Sequence, residues 1–167
     1  IVSHVEEKIT SDVPAEVVMS LAEQKAVDVA KEMPEGTVIL GSDTVVAADG
    51  KILGKPKSHE EAYEMIRRLA GRSHQVYTGV CLVKKGPEGE ADTVVSFYDE
   101  TDVNVSPMTE KEIREYADSE EPMDKAGSYA VQGFFARYID GLKGSYANVM
   151  GLPVHLVYQE LKKLGAL

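Results

Sequence analysis

Thr37-Val38-Ile39-Leu40 runs into Gly41-Ser42-Asp43-Thr44-Val45-Val46 and stops at the turn signal Asp49-Gly50. Apolar and β-branched residues bounded by turn formers define a buried strand, so this chain must build a sheet and cover it. Asp43 sits in the middle of that strand. A buried carboxylate is costly unless it finds a counter-charge, a metal ion or a cleft. Strand alternation places Asp43 on one face with Gly41. A glycine there is expected to leave open space beside the carboxylate, as in the wall of an active-site cleft. The alternative is an aspartate that caps a turn, and this stretch alone leaves both readings open.

Upstream, Ser11-Asp12 offers an N-cap and Pro14 a first-turn residue, which predicts a helix from about Pro14 to Met33. Its apolar stripe is Val18, Leu21, Ala22, Ala26, Val29, Ala30 and Met33, and Lys25 interrupts it. A lysine in a core-facing stripe either snorkels to the rim or reaches into a cleft. Downstream, Asp49-Gly50 predicts a hairpin to a return strand at Lys51–Gly54. Lys55-Pro56 follows, where proline restrains the backbone and Lys55 is either aimed toward Asp43 or solvated.

Capping boxes at Ser58…Glu61 and Thr109…Glu112 open two further helices. The first carries Ala62, Met65, Ile66 and Leu69 on one face and closes at Gly71. Between the two, His74–Lys85 and Thr93–Val105 predict a long antiparallel hairpin. Pro153 opens a final helix that packs through Val154, Leu156, Val157, Leu161 and Leu164. No repeat or linker interrupts the 167 residues. The expectation is one α/β domain over residues 1–167, built as two lobes around an elongated mixed sheet.

From Met123 to Leu152 the periodicity disappears. Asp124-Lys125-Ala126-Gly127-Ser128-Tyr129-Ala130-Val131-Gln132-Gly133 is rich in small residues, which let a backbone approach a ligand or another element closely. Lys125 suits a phosphate, and Gln132 offers both a donor and an acceptor. Tight packing with a surface Asp-Lys pair explains the same residues. Gly144–Pro153 has a similar composition and leads into a helix N-terminus.

Acidic residues number 28 against 18 Lys and Arg, a formal charge of −10, which excludes a nucleic-acid groove as the main function. A few lysines with a divalent cation can still bind a triphosphate. Cys81 is the only cysteine, so no intramolecular disulfide forms and a reducing, cytoplasmic setting is expected. No apolar run reaches membrane-spanning length. Gly50–Pro56 fails as a P-loop because its glycines are one residue too close and Pro56 replaces the metal-binding hydroxyl. There is no GxGxxG or GxSxG motif. His4, His59, His74 and His155 lack zinc-site spacing.

Taken in order, Ser42-Asp43-Thr44-Val45-Val46, Gly54-Lys55-Pro56, the stretch GRSHQVYTG from Gly71 to Gly79, Glu121-Pro122-Met123-Asp124-Lys125-Ala126-Gly127-Ser128-Tyr129-Ala130-Val131-Gln132-Gly133, Ile139-Asp140-Gly141, Gly144-Ser145-Tyr146 and Gly151-Leu152-Pro153 resemble the Maf family of nucleotide pyrophosphatases. The resemblance implies a fold similar to inosine triphosphatases, with a cleft between two lobes. It implies hydrolysis of a nucleoside triphosphate to the monophosphate and pyrophosphate with Mg²⁺ or Mn²⁺. Asp43 matches the catalytic proton acceptor. Glu7, Lys25, Lys55 and Lys125 match polar cleft positions, and Thr44 and Gln132 match positions tied to substrate choice. Glu7 with Asp43 would then hold the metal, and the three lysines would bind the phosphates. The DKAGxYxxQG form is similar to the branch acting on dTTP and UTP. The family also implies a homodimer, and its association with cell division offers a non-catalytic regulator as the alternative. Family members begin with a strand and a Ser-x-Ser-Pro-Arg-Arg loop. No such segment precedes Ile1 in this sequence, so the resemblance implies an N-terminally incomplete domain, weak or inactive if it truly starts there.

Overall fold

The computed structural model describes residues 1–167. Two long strands form its spine: β3, Ser73–Lys84, and β4, Thr93–Val105, pair along their whole lengths. This is the hairpin that the sequence predicts. On the other side of β3 lies β1, Val38–Ala48, in register from Val38↔Lys84 to Ala47↔Gln75. Asp49 and Gly50 both take positive φ, 52° and 72°, and turn the chain into β2, Lys51–Leu53. β5, Ile139–Lys143, closes the other edge, giving the order β2-β1-β3-β4-β5. The α/β class is as expected, but every pairing is antiparallel, which corrects the expectation of a mixed sheet. β5 has no counterpart in the sequence reading. It is a short edge strand containing Asp140 and Gly141, so it carries little of the usual strand pattern.

Helices cover the two faces of the sheet unequally. α1, Pro14–Ala30, lies on the face of Ile39, Gly41, Asp43, Val45 and their partners Val83, Cys81, Gly79 and Tyr77. The opposite face holds the larger core, in which Val46, Val76 and Val103 meet Ile66 and Leu69 of α2, His59–Leu69, and Ile113 of α3, Glu110–Ala117. The aromatic group Tyr116, Tyr129 and Phe135 completes that core. α4, Tyr146–Val149, and α5, Val154–Lys163, extend the cover along the same face, where Val157 packs on Val80 and Leu82.

Several local expectations change in detail. α1 stops at Ala30, three residues early, and Ser11 does not cap it. Ser11 instead accepts the Val13 N–H and donates to the Glu16 carboxylate. Thr109 and Glu112 form a full capping box. At α2 only half of one forms, because Glu61 accepts the Lys57 N–H while Ser58 accepts that of Glu61. In α5 only Val157 is fully buried, and Val154 is exposed.

The largest correction concerns Gly41. The space beside it is filled by α1. A Cβ on Gly41 would fall within 3.0 Å of the Ala22 carbonyl oxygen, and one on Gly79 would meet the Val18 backbone at similarly close range. The two glycines allow helix backbone to rest directly on sheet backbone. Gly79→Ala is therefore expected to destabilise the fold by about 1–3 kcal/mol through overpacking. Chemical denaturation measures this, and an unchanged midpoint would show that the contact is slack.

His74, at the start of β3, is buried, and its Nε2 lies 2.7 Å from the Tyr129 hydroxyl. Burial lowers its pKa from 6.5 to about 4, against an opposing pull from Asp102. The unfolded chain then takes a proton that the folded chain refuses. Stability is fully present above pH 6.5 and is lost as the pH falls toward 4, by up to about 3 kcal/mol. Denaturation curves across that window should lose this part of their pH dependence in His74→Gln.

Candidate active site

The close seat of α1 on Gly41 brings Lys25, one turn beyond Ala22, over the strand residue that follows on the same face. Lys25 Nζ lies 2.5 Å from Asp43 Oδ1 and 3.1 Å from Glu7 Oε1. Lys25 therefore reaches into a cleft instead of snorkelling outward, and Asp43 is a mid-strand partner instead of a turn cap. Glu7 belongs to the extended segment before α1. Its neighbour Lys8 is pinned to the helix by a two-way amide pair with Gln24, at 2.9 Å in each direction.

The electrostatics of the pair are uneven. Burial pushes the Asp43 carboxyl above the usual 3.8, more strongly than the Lys25 ammonium pulls it down. Burial alone would lower the Lys25 pKa, but the hydrogen bonds and charges of Asp43 and Glu7 outweigh it and raise the value. The ammonium stays charged and holds one oxygen of a carboxylate that is more basic than an exposed aspartate.

Thr44, the next residue, points to the opposite face. There it lines a cavity of about 270 Å³ together with Lys55, Lys125, Gln132 and the apolar walls Val46, Val76 and Tyr129. That volume falls just below the usual span of small-molecule sites, roughly 300–1,000 Å³. A backbone hydrogen bond from the Gly127 N–H to the Gly54 carbonyl, 3.0 Å, joins the Lys55 loop to the Lys125 segment. Gly127 has φ 67°, and a Cβ on it would collide with Val46. The small residues of this segment thus serve close packing, and that packing places Lys55 and Lys125 on one wall. Lys125 Nζ also contacts Asp124 at 2.5 Å. All seven sequence-predicted site residues are accounted for: Glu7, Lys25 and Asp43 form one cluster, and Thr44, Lys55, Lys125 and Gln132 line one pocket.

The two clusters lie on opposite faces of β1, whose outer edge is only partly covered. β2 pairs with β1 only at Val46–Ala48, so no strand flanks Asp43 or Thr44 on that side. The Lys55 charge is felt at both Asp43 and Asp124.

Residues that sequence reasoning passed over fasten this arrangement. Ser42 Oγ lies 3.1 Å from the Gly79 carbonyl and 2.9 Å from that of Gly151. Thr78 Oγ1 lies 2.9 Å from Thr44 Oγ1 and donates to the Asn148 carbonyl at 2.9 Å. Asn148 in turn donates to the Val76 carbonyl and to Thr101. A hydroxyl at 78 between Tyr77 and Gly79 is an ordinary strand residue by pattern, and only its alignment opposite Thr44 gives it meaning.

No group of three or more His, Cys, Asp or Glu side chains converges as a ready-made metal cage. Asp43 and Glu7 do fit a hard divalent cation of the magnesium type. Such ions take one or two carboxylates and complete their shell with phosphate oxygens and water.

Fold and site together define an α/β protein with a small-molecule pocket on one face of a strand and a half-buried lysine–carboxylate cluster on the other. The chain belongs to the Maf family: the family described as Maf-like protein matches residues 1–164. It is 46% identical over 164 residues to the dTTP/UTP pyrophosphatase of Lachnoclostridium phytofermentans, a match covering 98% of this chain and 83% of that protein. It is 47% identical to the dTTP/UTP pyrophosphatase of Agathobacter rectalis, covering 96% of this chain and 83% of the relative. The dTTP/UTP pyrophosphatase of Carboxydothermus hydrogenoformans is also 47% identical, with 96% and 84% covered.

Because Lys25 restrains a pKa that burial lifts, the Asp43 carboxyl should titrate above 3.8 and move higher still in Lys25→Met. Carbon NMR of the labelled carboxyl reads both midpoints. A midpoint below 3.8 in the unaltered chain would overturn this electrostatic picture.

Proposed function

We propose that this protein is a nucleoside triphosphate pyrophosphatase that acts on dTTP and UTP, releasing the monophosphate and pyrophosphate. The observation that carries the reading is the division of labour on β1. Asp43 presents a half-buried carboxylate beside Lys25 on one face, and Thr44 forms the wall of a pocket on the next. The base and sugar occupy the pocket, and the triphosphate passes the open edge of β1 toward Lys25. The activity named for the three relatives supports the same reading. No helix is long and apolar enough to cross a membrane, and we place the protein in the cytoplasm.

In this mechanism water attacks the α-phosphorus, the bond to the bridging oxygen breaks, and pyrophosphate leaves. Asp43 takes the proton of the attacking water through its second oxygen, since Oδ1 is held by Lys25. The elevated pKa makes Asp43 a better base than an exposed aspartate. Lys55 and Lys125 neutralise phosphate charge, which grows on the leaving group as the bond breaks. In the alternative use of that second oxygen, a divalent cation held by Glu7 and Asp43 would neutralise phosphate charge and lower the pKa of bound water.

Pyrophosphate release from dTTP, UTP and 7-methyl-GTP, measured side by side with Mg²⁺ or Mn²⁺ and after chelation, tests the proposal. Turnover should favour dTTP and UTP and stop on chelation. Asp43→Asn should lower it by about 10²–10⁴-fold, the usual weight of a general base, while circular dichroism stays unchanged. Unimpaired turnover in a folded Asp43→Asn variant would sink the assignment. Tight binding of these nucleotides without turnover would favour a regulator.

A further inference from the structure

Resting on the divalent-cation form of the pyrophosphatase reading above, we propose that Gln24 is a positioning residue that fixes the Glu7 carboxylate beside Asp43 and so completes a two-carboxylate seat for the metal. The segment that carries Glu7 contains neither helix nor strand, and it makes no backbone-to-backbone hydrogen bond before Val13. Nothing in its own backbone therefore fixes where Glu7 points. The ion pair with Lys25, at 3.1 Å, joins two partly exposed side chains. A pair of that kind contributes too little to order a free segment.

The hold comes from α1. Gln24 accepts the Lys8 N–H through Oε1 and donates through Nε2 to the Lys8 carbonyl, both at 2.9 Å. One side-chain amide thus meets both main-chain groups of one residue, as a paired strand would. Nε2 also donates to Ser20 Oγ at 3.0 Å, which ties the amide back to its own helix one turn earlier. These partners set its orientation, because a flipped amide would face N–H with N–H and oxygen with oxygen. One turn further along α1, Asp28 Oδ2 adds a second rung by accepting the Ser3 hydroxyl at 2.9 Å and the His4 N–H at 3.1 Å. The register of the clamp carries the argument. Glu7 precedes Lys8 and Lys25 follows Gln24, so fastening residue 8 to residue 24 sets residue 7 against residue 25. Lys25 then draws one oxygen of Glu7 and one of Asp43 onto a single ammonium, which brings the two carboxylates together. The second oxygen of each remains for a hard divalent ion, which takes one or two carboxylates. Gln24 acts on that ion only through Glu7.

Mn²⁺ alone is titrated into the unaltered chain, Gln24→Ala, Glu7→Gln and the double variant, and electron paramagnetic resonance reads the free ion. Alanine favours a helix, and circular dichroism checks that the fold holds. Gln24→Ala should weaken Mn²⁺ binding by about 10-fold or more, the usual weight of a residue that orients a metal ligand. Half-maximal UTP hydrolysis should need correspondingly more Mn²⁺, and turnover should recover once the ion saturates. In the Glu7→Gln background the same substitution should change Mn²⁺ affinity by less than about 2-fold, because the carboxylate it positions is gone. A merely structural Gln24 would lower turnover at every Mn²⁺ concentration and cost as much with Glu7 replaced as with it present. That result overturns the proposal, as does an unchanged Mn²⁺ affinity in folded Gln24→Ala, or a Glu7→Gln variant that binds Mn²⁺ as tightly as the unaltered chain. Should Gln24→Ala fail to fold, Gln24→Leu, which keeps the bulk without the amide, carries the same comparison. If the unaltered chain hydrolyses no nucleotide, the pyrophosphatase reading fails separately, and the Mn²⁺ affinities still decide the role of Gln24.

Discussion

Backbone rests on backbone where α1 crosses β1 and β3, and the geometry of the site follows from that contact. Gly41 and Gly79 sit on adjacent strands, two residues out of line, and each receives a helix carbonyl, from Ala22 and Val18. Ordinary side chains at both positions would lift the helix and carry Lys25 away with it. The spacing of one turn between Ala22 and Lys25 then converts a packing contact into an electrostatic one, because the sheet residue beyond Gly41 on that face is Asp43. A flat helix–sheet contact of this kind is rigid on account of its close packing, and rigidity is what a reacting carboxylate needs.

The lysine–carboxylate pair is poorly explained as a device for stability. Removing two charges from water costs several kcal/mol, and a hydrophobic pair of similar size commonly serves a fold as well or better. The surroundings of Asp43 show that cost directly, since burial raises its pKa in spite of an ammonium at 2.5 Å. Around it Ile39, Val45, Val83 and Tyr77 form an ordinary core face. A carboxylate kept there at an energetic penalty, with one oxygen restrained and a second carboxylate from Glu7 on the same ammonium, makes sense as chemistry. The protein's overall charge of −10 adds to the argument. In so acidic a chain, Lys25, Lys55 and Lys125 gathered around one strand edge form a local exception suited to an anionic ligand.

The periodic parts of the sequence were the legible parts. The alternation through Thr37–Val46, the capping signals at Ser58 and Thr109, and the hairpin at Asp49-Gly50 each correspond to an element in place. Lys25 could be singled out because it broke a helical period, and Asp43 because it broke a strand. The meaning of Gly41 came out reversed, since a missing side chain reads the same from sequence whether the space holds a ligand or a helix. Glu7 and Thr44 emerged only from the family resemblance, because an acidic residue in an extended segment and a threonine in a strand carry no signal of their own. The segment Met123–Leu152 gave up its residues but not its structure. It folds as short 3₁₀ turns, a four-residue helix and an edge strand, too short to imprint a period.

That irregular segment nonetheless fixes the hydrogen bonds behind the pocket wall. β1 contributes Thr44 with a side chain that could turn either way, and β3 contributes Thr78 with the same freedom. A carbonyl from the four-residue helix, Asn148 O, removes the freedom of both by accepting the Thr78 proton. The helix is itself held to the sheet at Val76 and Thr101, so a loop-like element acquires the precision of a strand. Charge placement on one face of β1 rests on two glycines beneath a helix. Hydrogen-bond polarity on the other face rests on one backbone carbonyl. The chemistry on both faces is thus set by backbone groups, and the side chains that face the ligand act in the positions those groups impose.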